Sequence, residues 1–318
     1  MNISLLEPIG VSEEMIEDLA AGLKKEGHIF TYYDTKTTVV EELKRRSAGQ
    51  DIVMIANSPY PDEVVRACDS LKAIAVAFTG IDHVGLSACR EKKIDVLNCA
   101  GYSNQSVAEL SVGMAVAVMR KILKGDFAVK NGGTSAGLVG TEICGKTVGI
   151  IGCGQIGFKT AKLFKAFGAD VLAYSRHEKE EWKEAGIRFA NIDTLLKESD
   201  IVSLHLPLNE RTKGFFGRDM IEKMKEDAVF INCARGPIVD NAALAEALNE
   251  GKIAGAAIDV FDMEPPVPDD YPLCHAKNVL LTPHVAFATK EAMVRRAKIE
   301  FDNVYAYLQG KPENLCQF

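Results

Sequence analysis

The feature that most constrains this chain is an alternation of short runs rich in Val, Ile, Leu and Ala with segments of helical period, sustained along its length. A strand with one wet face alternates apolar and polar residues, whereas most of these runs are apolar without alternation, as in strands covered on both faces. Strands of that kind, joined by helical crossovers, build βαβ units and a parallel sheet. A first series predicts strands near Ile3–Leu6, Ile29–Tyr33, Ile52–Ala56, Ala73–Phe78 and Ile94–Asn98, with a helix over Ser12–Glu26. A second predicts strands near Thr147–Ile151, Val171–Tyr174, Ile201–Leu204, Ala228–Asn232, Ala254–Ile258 and Val279–Leu281, then a closing helix over Lys290–Leu308. Between the two, Val107, Leu110, Met114, Val118 and Ile122 form one stripe of a helix expected from Asn104 to Lys124, before the glycine-rich break NGGTSAG. That helix is expected to fill a core or to lend part of its face to a subunit interface.

At 318 residues the chain is long enough for two domains. Its 37 Lys and Arg against 44 Asp and Glu give a net charge of −7, without long runs of one sign. Nucleic acid as the main partner is therefore not expected, since phosphate binding needs clustered cations. The longest apolar run, Ser111–Met119, stops at Arg120, about half the ~20 residues of a membrane span. The N-terminus MNISLLEPIG has no basic segment before its apolar residues, unlike a signal peptide, so a cytoplasmic location is expected. Cys68, Cys89, Cys99, Cys144, Cys153, Cys233, Cys274 and Cys316 show no metal-ligand spacing and are expected to be free buried thiols.

In VGIIGCGQIGFKTAKLF, Gly152, Gly154 and Gly157 stand in GxGxxG spacing after an apolar strand and at the start of a helix. That context marks a dinucleotide fingerprint. The first glycine allows the turn, the second lets backbone approach a pyrophosphate, and the third packs helix on strand. The amides of Gln155 and Ile156 would then meet the phosphates. At the end of the next strand, where an NAD site usually offers a carboxylate, the sequence has Ser175 and Arg176. A hydroxyl and a guanidinium suit a 2′-phosphate, so NADP(H) is favoured, with NAD(H) possible.

Three further segments follow apolar strands: NCARGPIVD, AIDVFDMEPP and LTPHVAFAT. In open α/β sheets ligands bind beyond the carboxyl ends of strands, so Arg235, Glu264 and His284 are expected to converge on one crevice. Reduction of a ketone leaves an alkoxide that needs a proton, which a His can supply. A carboxylate on its other nitrogen would orient it, and Arg can hold the carboxylate and carbonyl of a 2-oxo acid together.

With these segments, and with HLPLNERTKGFF, NQSVAEL and AFTGIDHVG in support, essentially the whole chain resembles the D-isomer-specific 2-hydroxyacid dehydrogenases. The resemblance implies an NAD(P)-dependent oxidoreductase that interconverts a small 2-oxo acid and a D-2-hydroxy acid. It implies that Arg235 binds substrate, that Glu264 and His284 are the acid/base pair, and that Asp259 contacts the nicotinamide amide. The amides around Thr79, Gly80 and Ile81 would hold the substrate carboxylate. Ser106, Leu206, Pro207, Thr212, Cys233 and Ala234 would line the cofactor. The implied fold is two doubly wound parallel-sheet domains. A flavodoxin-like substrate domain of residues 1–100 plus 286–318 is interrupted by a Rossmann cofactor domain of residues 101–285, and the assembly is a homodimer. Glyoxylate or hydroxypyruvate is the expected substrate, with D-lactate and D-3-phosphoglycerate dehydrogenases as alternatives. A reading of another class is a non-catalytic NAD(H) sensor. Two positions depart from the family pattern: the missing acidic residue at Ser175, and Phe287, a bulky residue near His284.

Overall fold

The structure, a computed structural model, describes all 318 residues. By internal contacts the chain divides into two compact units, Met1–Ser103 with Ala288–Phe318, and Asn104–Phe287.

The first unit holds a five-stranded parallel sheet of β1 (Asn2–Leu5), β2 (Ile29–Tyr32), β3 (Ile52–Ile55), β4 (Ala73–Val76) and β5 (Asp95–Asn98). Its order β2-β1-β3-β4-β5 is the doubly wound order of flavodoxin-like sheets. The crossovers are α1 (Glu13–Lys25), α2 (Val40–Ser47), α3 (Asp62–Ala67) and α4 (Leu86–Lys92), and a C-terminal helix, Lys290–Leu308, completes the unit. The helix predicted over Ser12–Glu26 is α1, with Ser12 as its cap accepting from the Met15 amide at 3.3 Å. Glu13 and Glu14 in its first turn and Lys24 and Lys25 in its last complement the helix dipole. Strands β3 and β4 are buried at every position, which explains their unbroken apolar runs.

The second unit contains α5 (Asn104–Met119), α6 (Ile122–Lys130) and a seven-stranded sheet of β6 (Thr147–Ile151), β7 (Asp170–Tyr174), β8 (Arg188–Phe189), β9 (Ile201–Leu204), β10 (Val229–Asn232), β11 (Gly255–Ile258) and β12 (Val279–Leu281). Its helices α7 (Gln155–Ala166), α8 (Glu180–Glu184), α9 (Ile192–Glu198), α10 (Arg218–Ile221) and α11 (Asn241–Glu250) lie between the strands in sequence. All pairings are parallel, in the order β12-β11-β10-β9-β6-β7-β8. This is the Rossmann order with one further strand, so the strand order reverses between β6 and β9, where such sheets open a ligand crevice. Its core stacks Phe216 on Phe230, ring centroids 4.5 Å apart.

Three expectations need correction. The helix expected to reach Lys124 ends at Met119, and Lys121 takes a left-handed backbone at φ 54°. The returning chain causes this: the Thr141 amide takes the Met119 carbonyl at 3.1 Å, and a Cβ on Gly140 would lie 2.3 Å from that oxygen. No Gly or Pro near 120 signals the break, and Ile122 passes to α6, which buries no residue. The two-residue edge strand β8 was not foreseen, being too short for periodicity to register. Of the eight cysteines, all free, Cys144 and Cys274 are exposed and Cys316 is half-buried. No helix is long and apolar enough to cross a membrane.

Candidate active site

Because the seven strands of the second unit are parallel, all their carboxyl ends lie along one edge, and the residues singled out in this unit, Ser106 of α5 excepted, follow those ends. After β6, Gly152 has φ +108°, a conformation a side chain resists, and a Cβ there would lie 2.5 Å from the His205 carbonyl oxygen. A Cβ on Gly157 would come within 2.2 Å of the Gly152 carbonyl oxygen, so only glycine lets α7 approach the strand this closely. Around Gly154 nothing lies within 4 Å of where a Cβ would stand. The loop thus leaves open space over bare backbone at the start of a 12-residue helix, whose first amides, at Gln155 and Ile156, lack intrahelical acceptors. These features fit a pyrophosphate. The nearby Cys153 thiol is pushed up to about 11 by burial, so it is no thiolate at neutral pH.

Ser175 and Arg176 follow β7, the first half-buried and the second exposed. The nearest following acid, Glu178, is paired with Lys183 at 2.8 Å. Leu206 and Pro207 follow β9, and Thr212 closes the turn beyond them, donating to the Pro207 carbonyl at 2.6 Å. Ser106, near the start of α5, donates to the Phe287 carbonyl at 3.5 Å. Cys233 is buried with its thiol 3.7 Å from Met114 Sδ, and burial, then the charge of Asp259, raises it to about 12.

Arg235 leaves β10 on a turn fixed by Asn232, a residue the sequence did not single out. The buried Asn232 side chain accepts from the Ala234 amide at 2.9 Å and donates to the Arg235 carbonyl at 3.1 Å. The guanidinium donates to the Ala234 carbonyl at 2.8 Å. The next residue, Gly236, touches the chain after β11: a Cβ there would meet the Phe261 carbonyl oxygen at 1.9 Å.

His284 has a left-handed backbone at φ 54°. A non-glycine residue there carries strain of about 1–2 kcal/mol, offset by hydrogen bonds from its amide to the carbonyls of Asp259 at 2.8 Å and Thr282 at 3.0 Å. Its Nδ1 lies 2.9 and 3.0 Å from the two carboxylate oxygens of Glu264. A carboxylate only accepts, so the Nδ1 proton is fixed by this partner. The ring is largely covered, and the Phe287 ring meets it edge-on with centroids 5.4 Å apart.

Asp259, fully buried, accepts from Thr282 Oγ1 at 2.6 Å and the Val285 amide at 2.9 Å through one oxygen. Through the other it accepts from the Ala286 amide at 2.8 Å. Burial raises its pKa while these hydrogen bonds oppose the rise. Thr282 and Asn232 could have been noticed as polar residues closing apolar strands.

In the first unit, Thr79, Gly80 and Ile81 form a half-buried turn after β4, and Asn98 Nδ2 holds the Thr79 carbonyl at 2.7 Å. Tyr60 is a core residue, 0% exposed, its hydroxyl 2.9 Å from Ser47 Oγ.

Residues 112–286 match the family described as D-isomer specific 2-hydroxyacid dehydrogenase, NAD binding domain. The chain is 39% identical over 279 residues to a glyoxylate reductase of Thermofilum pendens, covering 85% of this chain and 82% of the relative. It is 37% identical over 316 residues to a D-3-phosphoglycerate dehydrogenase of Archaeoglobus fulgidus, covering 98% of this chain but spanning only 58% of that relative's length. Among solved structures it resembles an acyclic imino acid reductase in complex with NADPH and D-Arg, with a TM-score of 0.88, 30% identity and all of both chains covered.

The glycine geometry makes a direct prediction. Gly157→Ala places a methyl carbon against the Gly152 carbonyl and forces α7 away from β6, so dinucleotide affinity measured by fluorescence titration is expected to fall by about tenfold or more, or ~1.4 kcal/mol.

Proposed function

The chain belongs to the D-isomer specific 2-hydroxyacid dehydrogenase family, and we propose that it reduces glyoxylate or hydroxypyruvate, with NADPH preferred over NADH. The observation that carries this reading is the His284–Glu264 pair, held on a strained backbone at the carboxyl edge of the sheet. Similarity to a glyoxylate reductase over most of both chains supports the substrate class.

In this reading the second unit is the cofactor domain and the first binds substrate. Gly152, Gly154 and Gly157 with the amides of Gln155 and Ile156 hold the pyrophosphate. Leu206, Pro207, Thr212, Cys233, Ala234 and Ser106 would line the remainder, and Asp259, which holds the His284 segment, would contact the nicotinamide amide. The dihydronicotinamide, when bound, supplies the hydride that reduces the carbonyl carbon. Arg235 holds the carboxylate and carbonyl oxygen of the acid, and the backbone amides of Thr79, Gly80 and Ile81 serve the substrate carboxylate. His284 Nε2 donates the proton to the carbonyl oxygen, and Glu264 stabilises the imidazolium through Nδ1 and keeps the ring in place. In the oxidative direction the same nitrogen takes the hydroxyl proton. Phe287, edge-on to the imidazole, limits water and ring rotation at that nitrogen.

The preference for NADPH rests on Ser175 and Arg176 in place of a carboxylate. Similarity along 98% of the chain to a D-3-phosphoglycerate dehydrogenase favours a second reading, with 3-phosphoglycerate as the hydroxy acid. A homodimer is part of the proposal: α6 buries none of its own residues and exposes Phe127 at 68% and Val129 at 76%, a surface that a second copy would cover.

Steady-state assays with glyoxylate, hydroxypyruvate, pyruvate and 3-phosphohydroxypyruvate are expected to rank the first two highest. Arg235→Ala and His284→Ala should each lower kcat/KM by about 10³-fold or more with cofactor binding retained; near-normal rates in both would refute the roles. Arg176→Ala should cost about tenfold in kcat/KM for NADPH, or ~1.4 kcal/mol, and leave NADH within twofold. Light scattering after size exclusion should give a dimer for the parent and a monomer for Phe127→Glu; a monomeric parent would contradict the assembly.

A further inference from the structure

Asn241 opens α11 with its side chain buried, 4% exposed. Its amide nitrogen donates to Asp262 Oδ1 at 2.9 Å and to the Gly236 carbonyl at 3.3 Å. Both neighbours are acceptors, which fixes the orientation of the amide, since the reversed one would turn its oxygen toward a carboxylate and a carbonyl. The second oxygen of Asp262 accepts from the Tyr271 hydroxyl at 2.9 Å. Tyr271 is buried, 6% exposed, with its ring edge-on to Phe261 at 5.6 Å. Burial, then the bond to Asp262, raises the Tyr271 pKa, so the phenol keeps the proton it donates.

The places these bonds join matter more than their number. Gly236 adjoins Arg235, and Asp262 precedes Glu264 by two residues. The amide of Asn241 therefore bolts the backbone that carries the guanidinium to the backbone that carries the histidine's partner. Near the same point the chain passes so close that Gly236 tolerates no Cβ beside the Phe261 carbonyl. Asn241 spends both amide protons on this junction, while its own Oδ1 is buried with no hydrogen-bond partner. An unmet buried acceptor lowers stability, so the residue is poorly explained by folding alone.

We propose that Asn241, Asp262 and Tyr271 form a positioning clamp that sets the distance and angle between Arg235 and Glu264, so that the cation holding the 2-oxo acid and the carboxylate orienting His284 address one substrate molecule. The three are positioning residues that touch neither substrate nor cofactor, and their role rests on the assignment of Arg235, Glu264 and His284 made above. Displacement of about 1 Å in such a constellation is enough to cost activity heavily.

The test uses the full chain, the best substrate of the 2-oxo acid panel, and the variants Tyr271→Phe, Asn241→Ala and Glu264→Gln, alone and combined. Tyr271→Phe removes one hydroxyl and keeps the ring, so it remains informative if Asn241→Ala fails to fold. Each clamp variant is expected to lower kcat by about 5- to 30-fold and to raise KM for the acid, with the dissociation constant of NADPH within twofold of the parent. In the Glu264→Gln background the same change should cost less than about threefold in kcat, because the group being positioned is already lost. A merely structural role would give the same loss in both backgrounds and would overturn the clamp. So would unaltered kcat and KM in both single variants while the parent is active. A parent silent on every 2-oxo acid would overturn the functional reading and the clamp with it.

Discussion

A carboxylate taken out of water must find its protons in the protein, and the burial of Asp259 imposes that demand where three strands end. All three donors come from one short segment, through Thr282, Val285 and Ala286. The backbone of Asp259 adds two more ties, its amide to the Asn232 carbonyl at 2.9 Å and its carbonyl to the His284 amide at 2.8 Å. One buried residue thus links the ends of β10, β11 and β12, and the left-handed turn at His284 is paid for by that web. The imidazole is presented to Glu264 because its backbone has no other place to go.

The same economy governs the opposite half of the unit. Where β6 meets α7, side chains are excluded at Gly152 by backbone conformation and at Gly157 by contact, whereas Gly154 borders open space. Steric need and ligand space therefore occur in one turn, and the parallel sheet sets that turn on the same edge as Arg235, Glu264 and His284. Preorganisation follows: polar groups already held by hydrogen bonds need not be reordered when charge develops on a substrate oxygen.

Much of this was legible in the residues alone. Apolar runs without alternation announced strands buried on both faces, and β6, β9 and β12 coincide with the predicted runs at both ends. The pairing of His284 with Glu264 followed from chemistry, because an imidazole that must pass a proton at one nitrogen needs an acceptor at the other. What sequence reasoning missed depended on tertiary return. The end of α5 is set by Thr141, more than twenty residues downstream of Met119, and nothing local marks it. Asn241 and Tyr271 looked like unremarkable polar residues beside apolar strands and helices, since their hydrogen bonds to Asp262 reach across loops rather than along them. Tyr60 is wholly buried, with its hydroxyl beside Ser47 and Cys68, a placement nothing in its neighbours along the chain marks.

In the proposed reaction a hydride passes from NADPH to the carbonyl carbon of a small 2-oxo acid while His284 protonates the oxygen. That reaction is tested most directly by incubating the protein with glyoxylate or hydroxypyruvate and NADPH deuterated at the transferable C4 position, then examining the hydroxy acid by mass spectrometry and, for glycerate, chiral chromatography. One deuterium at C2 is expected and, for glycerate, the D configuration. Tight binding of NADPH with no labelled hydroxy acid formed from any 2-oxo acid would contradict it.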